Sequence, residues 1–472
     1  GRSGSDGRGD ESRDPSRAAR LPGGANACPG DCSAVFAHPG DAGLTVSPGR
    51  AAALEALDRA DRGQRLDRSF RRAVSALEER ERAFAHELAY GVMRLRGRLD
   101  AFLAPHVQRG LDRVDAGLLP ILRSGLYQLL FMNVPDYAAV SQAVEQTRGA
   151  GLGRAAGLVN AVLRAAARAG VDPSVFPDPE QDPAGYLASW GSHPRWLIER
   201  WLARWAFDDV LRLVELNNTR PMLHIVPLDG DIESAAASLQ GAGGEVRPLL
   251  EPGSVEVSGL SPERCLGLVN GFVQDPAASL VCRYAAPEPG ARVADLCAAP
   301  GGKALYIARR ARYLLALDAS WPRLEVLRDN VRRTGLPIGI VQGRAETPPI
   351  QGADLVLLDV PCTGTGTLRR HPDARWRLRR EAPGELARVQ GRILRGAAVV
   401  VPPGGVLVYS TCSLESEENE AVVEAFLRDH PEFDTAPLPD ERLRTEENGW
   451  LQVLPQAMGW DGAFAARLRR RA

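Results

Sequence analysis

The chain has 472 residues, 44% of them hydrophobic and 25% charged, with a net charge of −1; this length rules out a single core and suits about three domains. The charge balance excludes a uniformly basic nucleic-acid binder, so a polyanionic partner has to be met by local arginine clusters. Seven cysteines without a C-x-x-C pair fit neither a disulfide framework nor a four-ligand zinc site, and no apolar run approaches the roughly 18 residues of a membrane span, so the expectation is a cytoplasmic chain without metal or membrane contact, for which a monomer suffices.

Residues 1–48 are rich in Gly, Ser, Asp, Arg and Pro without apolar periodicity and read as a disordered tail, which includes Cys28 and Cys32. Residues 49–170 carry apolar side chains at spacings of three and four ("AFAHELAYGVMRLRGRLDAFLAPHV", "LLPILRSGLYQLLFMNV", "AAGLVNAVLRAAARAG"), and this predicts an all-α domain of five to seven helices. Its mild excess of arginine suits either an RNA surface or solvated helix faces. The proline-rich "VDPSVFPDPEQDPAG" marks a boundary. Residues 186–270 read as a linking helix with an aromatic stripe, "HPRWLIERWLARW", better explained as core than as a ligand platform. A small α+β module follows, in which "LHIVPL", "IESAAASLQGAG", "GEVRPLL" and "SVEVSG" form strand, helix, strand and strand.

In residues 271–472, from about 290 onwards, apolar strands alternate with amphipathic helices: "ARVADLCAA", helix 302–311, "YLLALDA", helix 321–334, "IGIVQG", "ADLVLLDV", helix 379–400, "GGVLVYST" and helix 416–428. The fold class is α/β, a Rossmann-like doubly wound parallel sheet, with ligands expected at the carboxyl ends of the strands.

The chemistry-bearing residues cluster at those ends. "DLCAAPGGK" joins the first strand to its helix; it lacks G-x-G-x-x-G, and Cys297 and Ala304 stand where a P-loop needs Gly and Ser/Thr. Asp318 ends the second strand, where a carboxylate can take both hydroxyls of a ribose. A nucleoside cofactor without a pyrophosphate fits both features, and S-adenosylmethionine is the leading candidate. Lys303 is the only lysine in the chain, the other 57 of the 58 basic residues being arginine, which points to a site needing a compact ammonium.

Asp359, Pro361 and Cys362 follow the fourth strand and Cys412 the fifth, whereas Cys265 and Cys282 read as small buried hydrophobes. A thiolate adding to cytosine C6 turns C5 into a nucleophile towards a methyl donor, and a second group is then wanted to help remove the C5 proton and expel the sulfur. Asp359 is placed to stabilise the ring near N3, and a carbonyl beside Pro361 to read the N4 amino group. Which cysteine attacks stays open at this point. The same two cysteines would suit a redox pair in a nucleotide-linked oxidoreductase, but their spacing and the glycines argue against it. "RRHPDARWRLRR" (369–380) holds six arginines, and Arg369, Arg370, His371, Arg375 and Trp376 are read as an RNA surface combining phosphate contacts with stacking; the competing reading packs His371 and Trp376 into the loop.

Taken together, "DLCAAPGGK", "LLDVPCTGTGTLRRHPDARW", "YSTCSLESEENE", "DGAFAARL", "GLYQLLFMNVPDYAAVSQAVE", "GLVNAVLR", "NNTRP" and "QDPAAS" resemble the Sun/Fmu/RsmB type of RNA cytosine-C5 methyltransferase over nearly everything after the tail. The resemblance implies a NusB-like RNA-binding domain at 49–170, 16S rRNA or a small-subunit precursor as partner, and S-adenosylmethionine as cofactor; a 5-methylcytosine enzyme acting on another RNA such as tRNA is the alternative. It also implies Cys412 as nucleophile and Cys362 as the residue assisting release. Cofactor contacts are implied from Cys297, Ala298, Ala299, Pro300, Gly301, Gly302, Lys303, Asp318, Asp359 and the position of Arg344. At Arg344 the family usually has an acid, and Glu346 is the residue that could replace it. Val360 and Ala463 are smaller departures.

Overall fold

In the computed structural model, which describes residues 46–438 and 447–472, regular structure begins with the helix Pro48–Asp61. Readings made for residues 1–45, including Cys28 and Cys32, lie outside the described residues. Seven α-helices follow one another from Pro48 to Ala169 among the described residues. Leu88, Leu99, Ile121, Leu126 and Leu163 meet in their shared core, each nearly or wholly out of water, because apolar residues three and four apart line one face of each helix.

Three short helices, Pro183–Trp190, Arg195–Leu202 and Phe207–Asn217, make the link. The aromatic stripe is core, as read: Trp201 is 1% exposed, and its cluster includes Leu197, Leu213, and also Leu368 and Leu414 from the far domain. Next comes a four-stranded antiparallel sheet of β1 (Leu223–Pro227), β2 (Glu245–Leu249), β3 (Ser254–Ser258) and β4 (Gly271–Val273), ordered β2-β3-β1-β4. β4 is too short to carry an alternation signal and is absent from the sequence reading.

The large sheet contains β5 (Arg292–Asp295), β6 (Tyr313–Asp318), β7 (Ile338–Gln342), β8 (Leu355–Asp359), β9 (Val406–Thr411), β10 (Phe433–Thr435), β11 (Leu451–Val453) and β12 (Ala463–Arg470), in the order β10-β12-β9-β8-β5-β6-β7, with β11 paired to β12. β5 to β9 are parallel, and β8 and β9 are almost continuously buried between two layers of helices, so they read as apolar runs. The doubly wound parallel part read from the sequence is thus β5 to β9, and β10, β11 and β12 extend it as antiparallel pairs, which makes the whole sheet mixed. β12 starts at the carboxyl edge, where Gly462 N–H donates to Gly366 O at 2.8 Å, and runs back antiparallel along β9. None of the helices among the described residues is long and apolar enough to cross a membrane.

Candidate active site

Three neighbouring strands, β5, β6 and β8, end in aspartate: Asp295, Asp318 and Asp359. Parallel strands in register bring these carboxylates to one edge. Asp359 Oδ2 lies 2.7 Å from Lys303 Nζ, and Ser410 Oγ donates to Asp359 Oδ1 at 3.2 Å. Lys303 sits in the first turn of the helix Gly302–Ala308, an end unfavourable to a cation, so Asp359 supplies the compensating charge. Burial alone would lower the Lys303 ammonium, but the charge and hydrogen bond of Asp359 outweigh it and hold the group above its usual range.

Asp318 is 5% exposed and accepts from Ala299 N–H at 3.3 Å and Ser320 N–H at 2.9 Å, which ties the 297–303 loop to the end of β6. Gly301 allows that loop to close: its φ is +115°, and a Cβ there would meet Leu327 Cδ1 at 2.4 Å. Ala298 and Ala299 are buried and Cys297 is half-buried. Asp295, quoted but not singled out in the sequence, is wholly buried, and its Oδ2 has no hydrogen-bond partner. Burial, then the Asp359 charge, push its carboxyl up to about 7. The signal that could have found it was the repetition of a terminal Asp on three apolar strands.

Cys362 Sγ and Cys412 Sγ stand 3.3 Å apart, beyond the ends of adjacent strands β8 and β9. The loop after Cys362 lies against Cys412: Gly366 N–H donates to Cys412 O at 2.9 Å, and a Cβ on Gly366 would come within 2.7 Å of that oxygen. The hydrogen bond with Cys412 first, and burial second, push the Cys362 thiol well above its usual range. The Pro361 carbonyl accepts from Gln390 Nε2 at 2.9 Å, so a protein donor already uses one of the oxygens expected to face a base. Cys265 and Cys282 are buried, as read.

The arginine-rich segment requires correction. Arg375 is fully buried and donates to Arg94 O, Ser192 O, Asn217 O, Leu368 O and Asn218 Oδ1, joining all three regions of the chain. Trp376 Nε1 donates to Met93 O at 3.1 Å, and its ring carries Arg96 5.2 Å from its centroid. Arg370 pairs with Asp275 at 2.5 Å and Asp461 at 2.6 Å, while Arg369 donates to Arg220 O and Gly459 O. His371 is half-buried, and burial lowers its imidazole. Side-chain donors of Arg369, Arg370, Arg375 and Trp376 thus go to carbonyls and acids of the protein itself instead of forming a free phosphate-binding surface, and Arg375 and Trp376 join this segment to the helical domain. Arg344 is largely exposed and pairs with the half-buried Glu346 at 3.2 Å.

A family model described as 16S rRNA methyltransferase RsmB/F matches residues 283–469, and the NusB family matches residues 47–168. The ribosomal RNA small subunit methyltransferase B of Thermus thermophilus is 36% identical over 429 residues, 89% of this chain and 97% of that protein. Its counterpart in Escherichia coli O1:K1 / APEC is 32% identical over 432 residues, 89% and 98% respectively. Among solved structures, PH0851 has a TM-score of 0.75 at 26% identity, covering 90% of this chain and 100% of that one. NSun6 from Pyrococcus horikoshii, solved with SFG, shares the fold at TM-score 0.51 and 19% identity, over 59% of this chain and 98% of that one. The strand-end site and the helical domain clamped to it thus have matching relatives along almost the whole chain, which belongs to the 16S rRNA methyltransferase RsmB/F family and is an S-adenosylmethionine-dependent RNA methyltransferase with a NusB-family helical domain.

Proposed function

We propose that the protein methylates C5 of a cytosine in 16S rRNA, in the cytoplasm, through a covalent bond between Cys412 and C6 of the base. The observation that carries this reading is the 3.3 Å approach of two thiols at adjacent strand ends beside the Asp359–Lys303 pair. Packing alone has no need for that grouping.

The residues fit S-adenosylmethionine. Asp295 keeps a buried oxygen without a partner, complementary to a cationic group. Asp318 stands where ribose hydroxyls bind, the 297–303 loop closes tightly through Gly301, and Glu346 stands in for the usual acid beside Arg344. The cofactor supplies an electrophilic methyl group.

Cys412 forms the S–C6 bond, which moves electron density to C5. Asp359, held by Lys303 and Ser410, steadies the ring near N3 as negative charge develops there. Cys362, its thiol held well above the usual range by the Cys412 contact and by burial, keeps its proton in the resting site and shares a hydrogen bond with the Cys412 sulfur, leaving Cys412 to attack. After methylation Cys362, which has passed its own proton to solvent once the Cys412 sulfur is bound in the adduct, takes the C5 proton as a thiolate; the C5–H electron pair restores the C5–C6 double bond, and the S–C6 pair returns to Cys412. With the 369–376 residues used internally, phosphate contacts fall to exposed arginines such as Arg68, Arg71 and Arg72, on the helix Leu66–Ala73, whose first amide is bound to Asp373 at 3.2 Å.

Bisulfite sequencing of 16S rRNA and of tRNA after incubation with enzyme and S-adenosylmethionine tests the reading. A single protected cytosine in 16S rRNA is expected. Methyl incorporation without any protected cytosine would overturn it.

A further inference from the structure

Behind the two thiols lies a carboxyl group that the proposed chemistry does not use. Glu418 is wholly buried and has no ion-pair partner among the described residues. An unpaired buried carboxyl is costly unless hydrogen bonds satisfy it, and here four neutral donors converge on it. Thr363 N–H and Gln390 Nε2 donate to Oε1, each at 2.9 Å; Ser413 Oγ donates to Oε2 at 2.5 Å, and Thr363 Oγ1 donates to the same oxygen. The carbonyl of Glu418 accepts from Tyr409 OH at 2.5 Å.

The identity of these donors matters. Thr363 directly follows Cys362, and Ser413 directly follows Cys412, so a single carboxyl grips the residue after each cysteine. Gln390, also buried, holds Pro361 O, the position just before Cys362, and so fixes that loop from its other side. The two loops come from different strands, 50 residues apart at the thiols, and nothing in β8 or β9 themselves sets the distance between the sulfurs beyond the strand ends.

We propose that Glu418 is a positioning residue for the two-cysteine centre: by bracing the residue after each cysteine it sets the Cys362–Cys412 separation, and with it the balance between forming and releasing the RNA adduct. This rests on the covalent reading above. The Glu418 charge also helps keep Cys362 protonated, behind the larger effects of the Cys412 contact and burial. Its own carboxyl is raised by burial, against the hydrogen bonds from Ser413, Thr363 and Gln390.

The test uses the full-length protein carrying Glu418→Gln, which keeps the side chain's size and removes its charge. Expected results are unchanged S-adenosylmethionine affinity and RNA KM, with kcat down about 10²-fold, the loss that follows misplacing a reacting group by about 1 Å. Iodoacetamide alkylation of Cys362 in a Cys412→Ser background should set in at lower pH when Glu418→Gln is added, a shift that a purely structural role would not produce. This alkylation readout needs no adduct, so it separates failure of the bracing idea from failure of the covalent mechanism. If Glu418→Gln does not fold, the arms are cut singly: Thr363→Val should accumulate protein–RNA adduct, the outcome also expected of Cys362→Ala, while Ser413→Ala should slow adduct formation. Wild-type kcat with an unshifted alkylation profile, or arm variants indistinguishable from wild type, would overturn the proposal.

Discussion

At the scale of single residues, Lys303 accounts for the one lysine in an arginine-rich chain. Its Nζ reaches Asp359 at 2.7 Å from a first helical turn whose side chain is only 15% exposed, so little room exists around the pair. An ammonium fits as a point charge, whereas a planar guanidinium needs more space for the same contact. Lys303→Arg is therefore expected to lose nearly as much kcat as Lys303→Ala; wild-type turnover in the arginine variant would remove the steric argument. Asp295 gives a prediction with a sign. Its folded value of about 7 lies above the roughly 3.9 of an unfolded chain. Between these values the folded state retains a proton that the unfolded state has lost, so the group's contribution to stability is greatest below about pH 4 and declines as pH rises through about 7. A sulfonium cation held near Asp295 favours the carboxylate, so cofactor affinity should rise through neutral pH with release of protons. Calorimetry at about pH 7 in two buffers of different ionisation enthalpy reads that release. Asp295→Asn should abolish the buffer dependence, and a buffer-independent heat in the wild type would contradict the assignment.

At the scale of elements, the segment 369–380 shows where sequence reading reached its limit. Six arginines beside an aromatic have the composition of an RNA surface, yet composition does not say which way a side chain points. The direction is set by the linking helices: Leu368 packs into their core, which draws Arg375 into a cage of carbonyls contributed by residues 94, 192, 217 and 368. Burial, helped by the Arg94 charge and opposed by Asp373, lowers the Arg375 guanidinium to about 9. Arg375→Met leaves those carbonyls without their donor and should destabilise the protein by on the order of 2–4 kcal/mol in denaturant unfolding. An unchanged midpoint would mean the cage is incidental. The helices and strands themselves were legible where periodicity was long, as in the helix Trp321–Thr334, which the sequence reading bounded at the same residues. β4, β10 and β11, each three residues long, were not, because so short a strand carries no alternation.

At the scale of the whole molecule, the helical domain is tied directly to the chain around the candidate active site. Asp373 caps Leu66 N–H, Trp376 reaches Met93, and Arg370 binds the acid that caps the helix Pro276–Ala285. Much of the site could be read in advance, since Asp318, Asp359, Lys303, Cys362 and Cys412 all follow or end strands in an alternating pattern. What supports them could not, because Glu418, Gln390 and Ser413 act through contacts between segments distant in sequence. The central claim, a covalent bond from Cys412 resolved with help from Cys362, is tested most directly by a denaturing gel of enzyme incubated with 16S rRNA and S-adenosylmethionine. Cys362→Ala should give a denaturation-resistant protein–RNA complex, and Cys412→Ser should give neither complex nor methyl transfer. A complex formed by Cys412→Ser, or full activity without any complex in Cys362→Ala, would contradict it.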